Sequence, residues 1–247
     1  MDRNRHEERF AQGSDFIQKI REARRVAQPA IVSPSITDIP YRAISIYPSV
    51  LLAHLGITPN QITLLWILIG MVAVVALGSP SYAFRISGAI LLQMSYLLDY
   101  VDGEVARLQR RTSKRGFFLD LAGHGLIKSA LFLAVGYQVA GRLHQPAALL
   151  LSFSAAVCLV TGYAIPFYAA YASVRNEPVA AAHEVPSTRI GTVRKLFNVT
   201  GLLFESPGLY AALLLGTILD APQWVILFYG IFSPIWFLRR LCRYRFE

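Results

Sequence analysis

The sequence is short of charged residues for its length. Only 16% of its 247 residues are Asp, Glu, Lys or Arg, whereas a soluble domain usually has about 25%. Cysteine is also scarce, since Cys158 and Cys242 are the two in the chain. Two cysteines so far apart give neither a disulfide framework nor the spacing of a zinc site.

The missing charges leave long apolar runs between short charged clusters. Residues 144–174, for example, contain no Asp, Glu, Lys or Arg, and about 20 apolar helical residues suffice to cross a bilayer core. One such run could be a core helix of a soluble protein, but a single soluble core has no room for all of them. The sequence therefore predicts an all-α integral membrane protein with six transmembrane helices. The predicted spans are residues 61–77, 82–100, 117–140, 147–171, 201–219 and 223–238.

A polar N-terminal segment, residues 1–40, precedes the predicted membrane domain, residues 41–247. Apolar residues recur in this segment at helical spacing, which predicts an amphipathic helix on the membrane surface. A solvated tail is the alternative, and a second amphipathic stretch, residues 41–55, leads to the first span. The apolar positions of the first stretch are Phe16, Ile17, Ile20, Ala23 and Ala27.

The Lys and Arg residues predict the orientation, because cytoplasmic loops of membrane proteins are rich in them. Eight precede the first span, five lie between the second and third, four between the fourth and fifth, and four follow the sixth. The other side has only Arg85 and Arg142. Both termini are therefore expected in the cytoplasm, with the protein in the cytoplasmic membrane. The net charge of +9 lies beside the apolar runs, which suits anionic lipid headgroups rather than nucleic acid.

Acidic residues gather where the second span is expected to meet the cytoplasm. Acids at such positions are costly unless they are paired or functional. A stripe at i, i+3, i+4, i+7 and i+8 occupies one helix face and combines two carboxylates, two small residues and an arginine. The carboxylates can hold a divalent cation, the small residues can admit a ligand, and the arginine can bind a phosphate. The stripe consists of Asp99, Asp102, Gly103, Ala106 and Arg107.

A matching stripe follows on the third predicted span, where four residues are spaced four apart. Each step of four turns the helix by only about 40°, so that the side chains face roughly one way. Carboxylates and a phosphate suit Mg²⁺ or Mn²⁺, and the expected substrate is a phosphate ester. The second stripe consists of Gly116, Asp120, His124 and Lys128. Packed together, the two helices would bring four candidate metal ligands into one place: Asp99, Asp102, Asp120 and His124.

Each piece alone has an ordinary explanation. A carboxylate pair at a helix end is usually solvated, a histidine in a span is usually hydrogen-bonded packing, and Lys128 could extend toward the interface. The combination of the pieces in one geometry is what favours a functional site.

The stretch from Asp99 to His124 resembles the signature of the CDP-alcohol phosphatidyltransferases, D-x2-D-G-x2-A-R-x8-G-x3-D-x3-D. Every position of that pattern except the last is matched at the required spacing. Residues 58–63, Thr-Pro-Asn-Gln-Ile-Thr, resemble the opening of the family's first span, and the six-span layout is similar as well. The matching residues are Asp99, Asp102, Gly103, Ala106, Arg107, Gly116 and Asp120.

The resemblance implies a metal-dependent transfer of a phospho-alcohol group from a CDP-linked lipid to an acceptor alcohol, with release of CMP, in phospholipid biosynthesis. It also implies a homodimer, and the orientation indicated by the Lys and Arg residues places the active site at the cytoplasmic face. It also implies metal binding by Asp99, Asp102 and Asp120. The expected nucleotide site consists of Asn60, Thr63, Gly103, Ala106, Arg107, Ser113 and Gly116.

The sequence departs from the pattern at its last position, where His124 replaces an aspartate. This replacement changes the groups available for catalysis. In the family this aspartate is the proposed general base and also helps to hold metal. An imidazole can accept a proton near neutral pH, so His124 is the predicted base and a fourth metal ligand. The first alternative is a relative of the family that binds CDP-lipid without turnover, and the second is a small membrane transporter.

The acceptor alcohol stays open at this point. The basic residues Lys128, Arg189 and Arg194 could hold an anionic acceptor such as a polyol phosphate. The ordinary positive bias of cytoplasmic loops explains the last two equally well.

Overall fold

The computed structural model describes residues 18, 20–28, 38–175 and 203–243, and every regular element within them is an α-helix. The predicted all-α class is confirmed. Arg189 and Arg194 lie outside the described residues. In the described part of the chain the helices are α1 (residues 20–27), α2 (Ile39–His54), α3 (Pro59–Leu77), α4 (Tyr82–Leu108), α5 (Lys114–Leu143), α6 (Ala147–Arg175), α7 (Ser206–Ile218) and α8 (Pro222–Arg243).

Local side-chain contacts define where α3 and α5 begin. At the start of α3, the backbone N–H and the hydroxyl of Thr58 both donate to Oε1 of Gln61, at 2.9 Å each. Pro59 needs no N–H partner in this first turn. At the start of α5, the N–H of Gly116 donates to the Ser113 hydroxyl oxygen at 3.0 Å, which caps one of the unpaired donors of the first turn. The first turns of both helices thus contain or adjoin residues that the resemblance assigns to the nucleotide site, Asn60 on α3 and Ser113 and Gly116 at α5.

Four of the described helices are long and apolar enough to cross a membrane, so the predicted six spans are not confirmed as such. Helix α4 has 27 residues, about 40 Å of helix, but it carries several charged residues. Helix α7 has 13 residues, about 20 Å, which is less than a bilayer core of about 30 Å. The four qualifying segments are Pro59–Leu77, Lys114–Leu143, Ala147–Pro166 and Pro222–Cys242.

The chain divides into two compact units, and the first contains residues 1–70 and 93–124. In this unit Ile20 and Ala27 of α1 are buried together with Ile46 of α2. Helices α3 and α4 share a second apolar cluster, formed by Ile62, Val101 and Val105. The apolar face predicted for the N-terminal helix is therefore packed against protein where it is described. Its position on a membrane surface stays a prediction.

The second unit contains residues 71–92 and 125–247. Here α8 packs against both α6 and α7, and aromatic rings fill the space: Phe204 stacks on Phe228 and Trp236 and meets Tyr229 edge-on. In the same unit Asp220, in the turn between α7 and α8, binds Arg85 at 2.6 Å and Arg142 at 2.7 and 2.8 Å. These ion pairs join the start of α4, the end of α5 and that turn.

Candidate metal and nucleotide site

Three side chains of the first unit converge on one small region. The Nε2 atom of His124 lies 3.3 Å from Oδ1 of Asp99 and 3.6 Å from Oδ1 of Asp120. One ligand atom from each residue lies within 4.8 Å of the other two. The side chains are 24%, 15% and 37% exposed, in that order, so that a ligand can reach them. Two carboxylates and an imidazole at this spacing fit a divalent cation.

The helical positions of these residues explain their convergence. Asp120 and His124 are four residues apart on α5 and therefore lie on the same face. Asp99 comes from α4, near the end of its apolar part. The structure thus brings together three of the four predicted metal ligands.

Asp102, the fourth predicted ligand, lies outside that group of three. Its Oδ2 atom accepts hydrogen bonds from the hydroxyl of Thr63 at 2.6 Å and from the indole N–H of Trp66 at 2.8 Å. Asp102 follows the apolar stretch of α4 that ends at residue 100. Burial and the nearby Asp99 carboxylate raise its pKa to about 7, against the effect of the two hydrogen bonds. The carboxylates are therefore close enough to repel one another, and a bound cation would relieve this repulsion.

Trp66 was not predicted from the sequence as part of the site. It donates to Asp102, and its ring also lies 5.2 Å from the His124 ring, at an interplanar angle of 38°. A Cβ atom added at Gly123 would lie 2.6 Å from the ring of Trp66, so the close approach of α3 and α5 requires a glycine there. One signal was available: Trp66 lies three residues after Thr63, and its polar N–H in an apolar helix needs a partner.

Three residues assigned to the nucleotide site meet where α3 and α5 begin. A Cβ atom added at Gly116 would lie 3.0 Å from Oδ1 of Asn60 and 3.2 Å from the Ser113 hydroxyl oxygen. Gly116 therefore allows two polar side chains to approach the backbone of α5 closely. The arrangement collects hydrogen-bonding groups beside a helix N-terminus, a position that favours a phosphate or another polar ligand.

Arg107 lies over Gly103, the glycine one turn earlier on α4. Its Nη1 and Nη2 atoms are 3.4 and 3.5 Å from the position of a Cβ at residue 103. The space beside Gly103, predicted to admit a ligand, therefore adjoins the guanidinium. The Nε–H of Arg107 donates to the carbonyl of Ala27 at 2.5 Å. Ala106, the other small residue of the stripe, accepts the N–H of Arg111 at 2.8 Å as the helix ends.

Lys128, the predicted acceptor residue, belongs to the second unit and is buried, with 4% of its surface exposed. Its Nζ atom lies 3.6 Å from the centre of the Tyr163 ring. The guanidinium carbon of Arg240, a residue that sequence reasoning did not select, lies 5.8 Å from the same centre. Two cations therefore share one aromatic ring, which stabilises positive charge through its negative face.

The sequence pattern of the CDP-alcohol phosphatidyltransferases matches residues 56–236, nearly three-quarters of the chain. The chain belongs to the CDP-alcohol phosphatidyltransferase family. This family transfers a phospho-alcohol group from CDP-linked donors to alcohol acceptors and depends on divalent metal. Together with the four apolar helices, membership makes the chain an integral membrane protein. The predicted family resemblance is confirmed.

Three curated relatives are similar to parts of the chain. A bifunctional IPC transferase and DIPP synthase from Aquifex aeolicus is 53% identical over 64 residues, which are 26% of this chain and 14% of that protein. An archaetidylinositol phosphate synthase from Pyrococcus horikoshii is 42% identical over 73 residues, 28% of this chain and 35% of that protein. A phosphatidylinositol phosphate synthase from Corynebacterium glutamicum is 32% identical over 117 residues, 47% of this chain and 52% of that protein. The matches thus span about half of these relatives or less.

Proposed function

We propose that this CDP-alcohol phosphatidyltransferase family member transfers a phosphatidyl group from a CDP-linked lipid, such as CDP-diacylglycerol, to an acceptor alcohol and releases CMP. The observation that supports this most is the convergence of Asp99, Asp120 and His124 within the stretch that carries the family signature. Such a reaction belongs to phospholipid biosynthesis.

The carboxylates fit Mg²⁺ or Mn²⁺, which prefer oxygen ligands, since Asp99 and Asp120 present oxygen atoms within 4.8 Å of each other beside His124. Asp99 and Asp120 would hold the ion, with Asp102 contributing Oδ1 because its Oδ2 is bonded to Thr63 and Trp66. A divalent ion bound there would neutralise charge on the donor's pyrophosphate.

His124 is the proposed proton acceptor. One nitrogen atom cannot bind a metal ion and accept a proton at the same time, and it is Nε2 that faces both carboxylates. We assign Nε2 the role of base, which takes the proton from the acceptor hydroxyl. The Asp99 carboxylate at 3.3 Å would then stabilise the imidazolium that forms. The acceptor oxygen attacks the phosphorus on the lipid side of the donor, and the bond to CMP breaks.

The nucleotide of the donor is assigned to the ends of α3, α4 and α5. Arg107 would bind a phosphate through its terminal nitrogens, and Asn60, Ser113 and the N–H groups at the start of α5 would bind the cytidine or its phosphates. We assign the remaining predicted residues to the same nucleotide site: Thr63, Gly103, Ala106 and Gly116.

An anionic acceptor, such as a polyol phosphate, fits the charge near Lys128. Lys128 and Arg240 lie against one tyrosine ring, and two relatives are named as synthases of inositol phosphate lipids. We propose that these two cations bind the acceptor's phosphate, with Arg189 and Arg194 as further candidates. Lys128→Met should then raise the KM for the acceptor and leave the KM for CDP-lipid unchanged. An equal rise of both values would contradict this role.

The topology proposed here has six spans, because α4 and α7 must also cross if the basic clusters are to share one side. With only the four most apolar helices as spans, the basic residues at positions 107–115 would lie opposite those at positions 1–58. We propose that the site and both termini face the cytoplasm, and that the protein is a homodimer in the cytoplasmic membrane.

Release of CMP from CDP-diacylglycerol by the purified full-length protein tests the proposed function. The assay is run with Mg²⁺ and Mn²⁺ against inositol phosphate, glycerol phosphate, inositol and serine. We expect metal-dependent CMP release that requires one of the phosphorylated acceptors and is abolished by Asp99→Asn. CDP-lipid binding without turnover for any acceptor would favour the inactive relative, and solute flux in liposomes without CMP release would favour the transporter.

A further inference from the structure

Glu104 is a buried acid within the signature stretch that the proposed reaction does not use. It is 1% exposed, and its carboxylate accepts hydrogen bonds from two serines of α2, Ser45 at 2.6 Å and Ser49 at 2.7 Å. A carboxylate is left inside a protein only where donors compensate for the lost water. These contacts hold α2 against the helix that carries Asp99, Asp102 and Arg107.

A third donor connects Glu104 to the N-terminal part of the chain. The side-chain amide of Gln28, directly after α1, donates to Oε1 of Glu104 at 2.7 Å and to the carbonyl of Arg42 at 2.6 Å. Both amide protons are therefore in use. Nothing else in the site described above needs Gln28, which lies 76 residues before its carboxylate partner.

The end of α1 in turn contacts the arginine of the signature. The carbonyl of Ala27 accepts the Nε–H of Arg107 at 2.5 Å, and Ala27 itself is fully buried. Among the described residues, Nη1 and Nη2 of Arg107 have no hydrogen-bond partner. A guanidinium held at Nε keeps its two terminal nitrogens in a fixed plane, which is the form that binds phosphate oxygens in pairs.

We propose that Glu104 and Gln28 are positioning residues of the donor site: they fix the end of α1, so that Ala27 orients Arg107 toward the phosphates of the CDP-linked lipid. The N-terminal helix is then a structural part of nucleotide binding and more than a membrane contact. This inference rests on the proposed function, since it takes Arg107 to bind the donor.

Gln28→Ala is the informative variant, because it removes the hydrogen bond from Gln28 to Glu104 and leaves Glu104 bonded to both serines. We expect the Kd for CDP and the KM for CDP-lipid to rise about 3- to 10-fold, as befits one lost orienting hydrogen bond, with kcat within about twofold. Gln18→Ala is the matched control. Gln18 contacts Glu22 on the exposed side at 3.3 Å, and its loss should leave both constants unchanged.

A double-mutant cycle separates positioning from general stability. If Gln28 acts through Arg107, Gln28→Ala should cause no further loss of CDP affinity once Arg107→Ala is present. Equal losses in both backgrounds would overturn the inference, and so would wild-type CDP affinity in Gln28→Ala.

Glu104→Gln provides a second measurement. Its new amide N–H can donate to the Ser49 oxygen while the Ser49 proton goes to the carbonyl of Ser45, already 2.8 Å away. The hydrogen bond from Gln28 to Oε1 of residue 104 is kept in this variant. CDP affinity should therefore stay within about threefold of wild type. A loss as large as that of Arg107→Ala would contradict the proposed chain of contacts. If the wild-type protein binds no CDP, the proposed function itself fails, and this inference fails with it.

Discussion

Nε2 of His124 lies 3.3 Å from Oδ1 of Asp99. In the family signature this position is an aspartate, and the structure places an imidazole there between two carboxylates. Both carboxylates face Nε2, so an N–H formed at that atom would have an acceptor oxygen on α4 and another on α5. The substitution therefore exchanges one proton acceptor for another and reduces the negative charge available to metal ions.

Replacement of His124 by Ala should reduce kcat by about 10²- to 10⁴-fold, the usual contribution of a general base. CDP affinity, measured by equilibrium binding, should change little because the nucleotide groups remain. His124→Asp serves as the control, since it restores the family's residue and should keep measurable turnover. Unchanged turnover in His124→Ala would remove the residue from the mechanism, and recovery by excess Mn²⁺ would make it a metal ligand rather than the base.

The indole N–H of Trp66 donates to Asp102, and Phe has a ring but no such donor, so that Trp66→Phe removes this one hydrogen bond. The variant keeps a ring beside His124 but leaves the buried Oδ2 of Asp102 with the Thr63 hydroxyl as its hydrogen-bond donor. We expect the free energy of unfolding in detergent to fall by about 1–3 kcal/mol, and the metal concentration for half-maximal activity to change. Trp224→Phe is the control, because that residue is 65% exposed. Equal effects of both variants would show that the hydrogen bond to Asp102 is unimportant.

The sequence predicted those parts of the site that depend on spacing along one helix. Asp120 and His124 face the same way because they are four residues apart on α5, and the signature identified Asp99. The contacts of Asp102 could not be predicted in the same way, because its donor Trp66 is 36 residues away and reaches it only through the packing of α3 against α4. Glu104 was missed for the same reason.

Composition alone identifies some of the predicted membrane spans and misses others. Hydropathy identifies α3, α5, α6 and α8 without any tertiary information. Helix α4 carries its charges in a stripe that serves the site, and therefore its mean hydropathy is lower than that of an ordinary span. Composition thus does not identify α4, a helix that in the proposed topology crosses the membrane and also carries residues of the candidate site.

The position of the Trp66 ring also depends on Gly123, which leaves room for it beside α5. Gly123→Ala would place a methyl group 2.6 Å from the Trp66 ring and 2.7 Å from Ile67, so that α3 and α5 must separate or the ring must shift. We expect a loss of about 1–3 kcal/mol in the free energy of unfolding, together with reduced turnover. Gly125→Ala is a matched control two residues away, where the nearest atom would be 4.0 Å from the new methyl group. Equal stability of the two variants would show that the close approach is not needed.

Asp220 tests the pH dependence of stability away from the candidate site. Its hydrogen bond from Arg142 is the largest of the effects that lower the pKa of this carboxyl below its ordinary 3.8. A group whose pKa is lowered by folding contributes stability above its unfolded value, and this contribution disappears as the pH falls through the folded value. Asp220→Asn should therefore have a lower Tm than wild type at pH 7. The gap should stay constant down to about pH 5 and narrow below about pH 4. Gln145→Ala, at an exposed side chain near the end of α5, is the control and should match wild type throughout. A gap between Asp220→Asn and wild type that widens toward low pH would contradict the assigned ion pairs, because protonation of Asp220 must make the two proteins more alike.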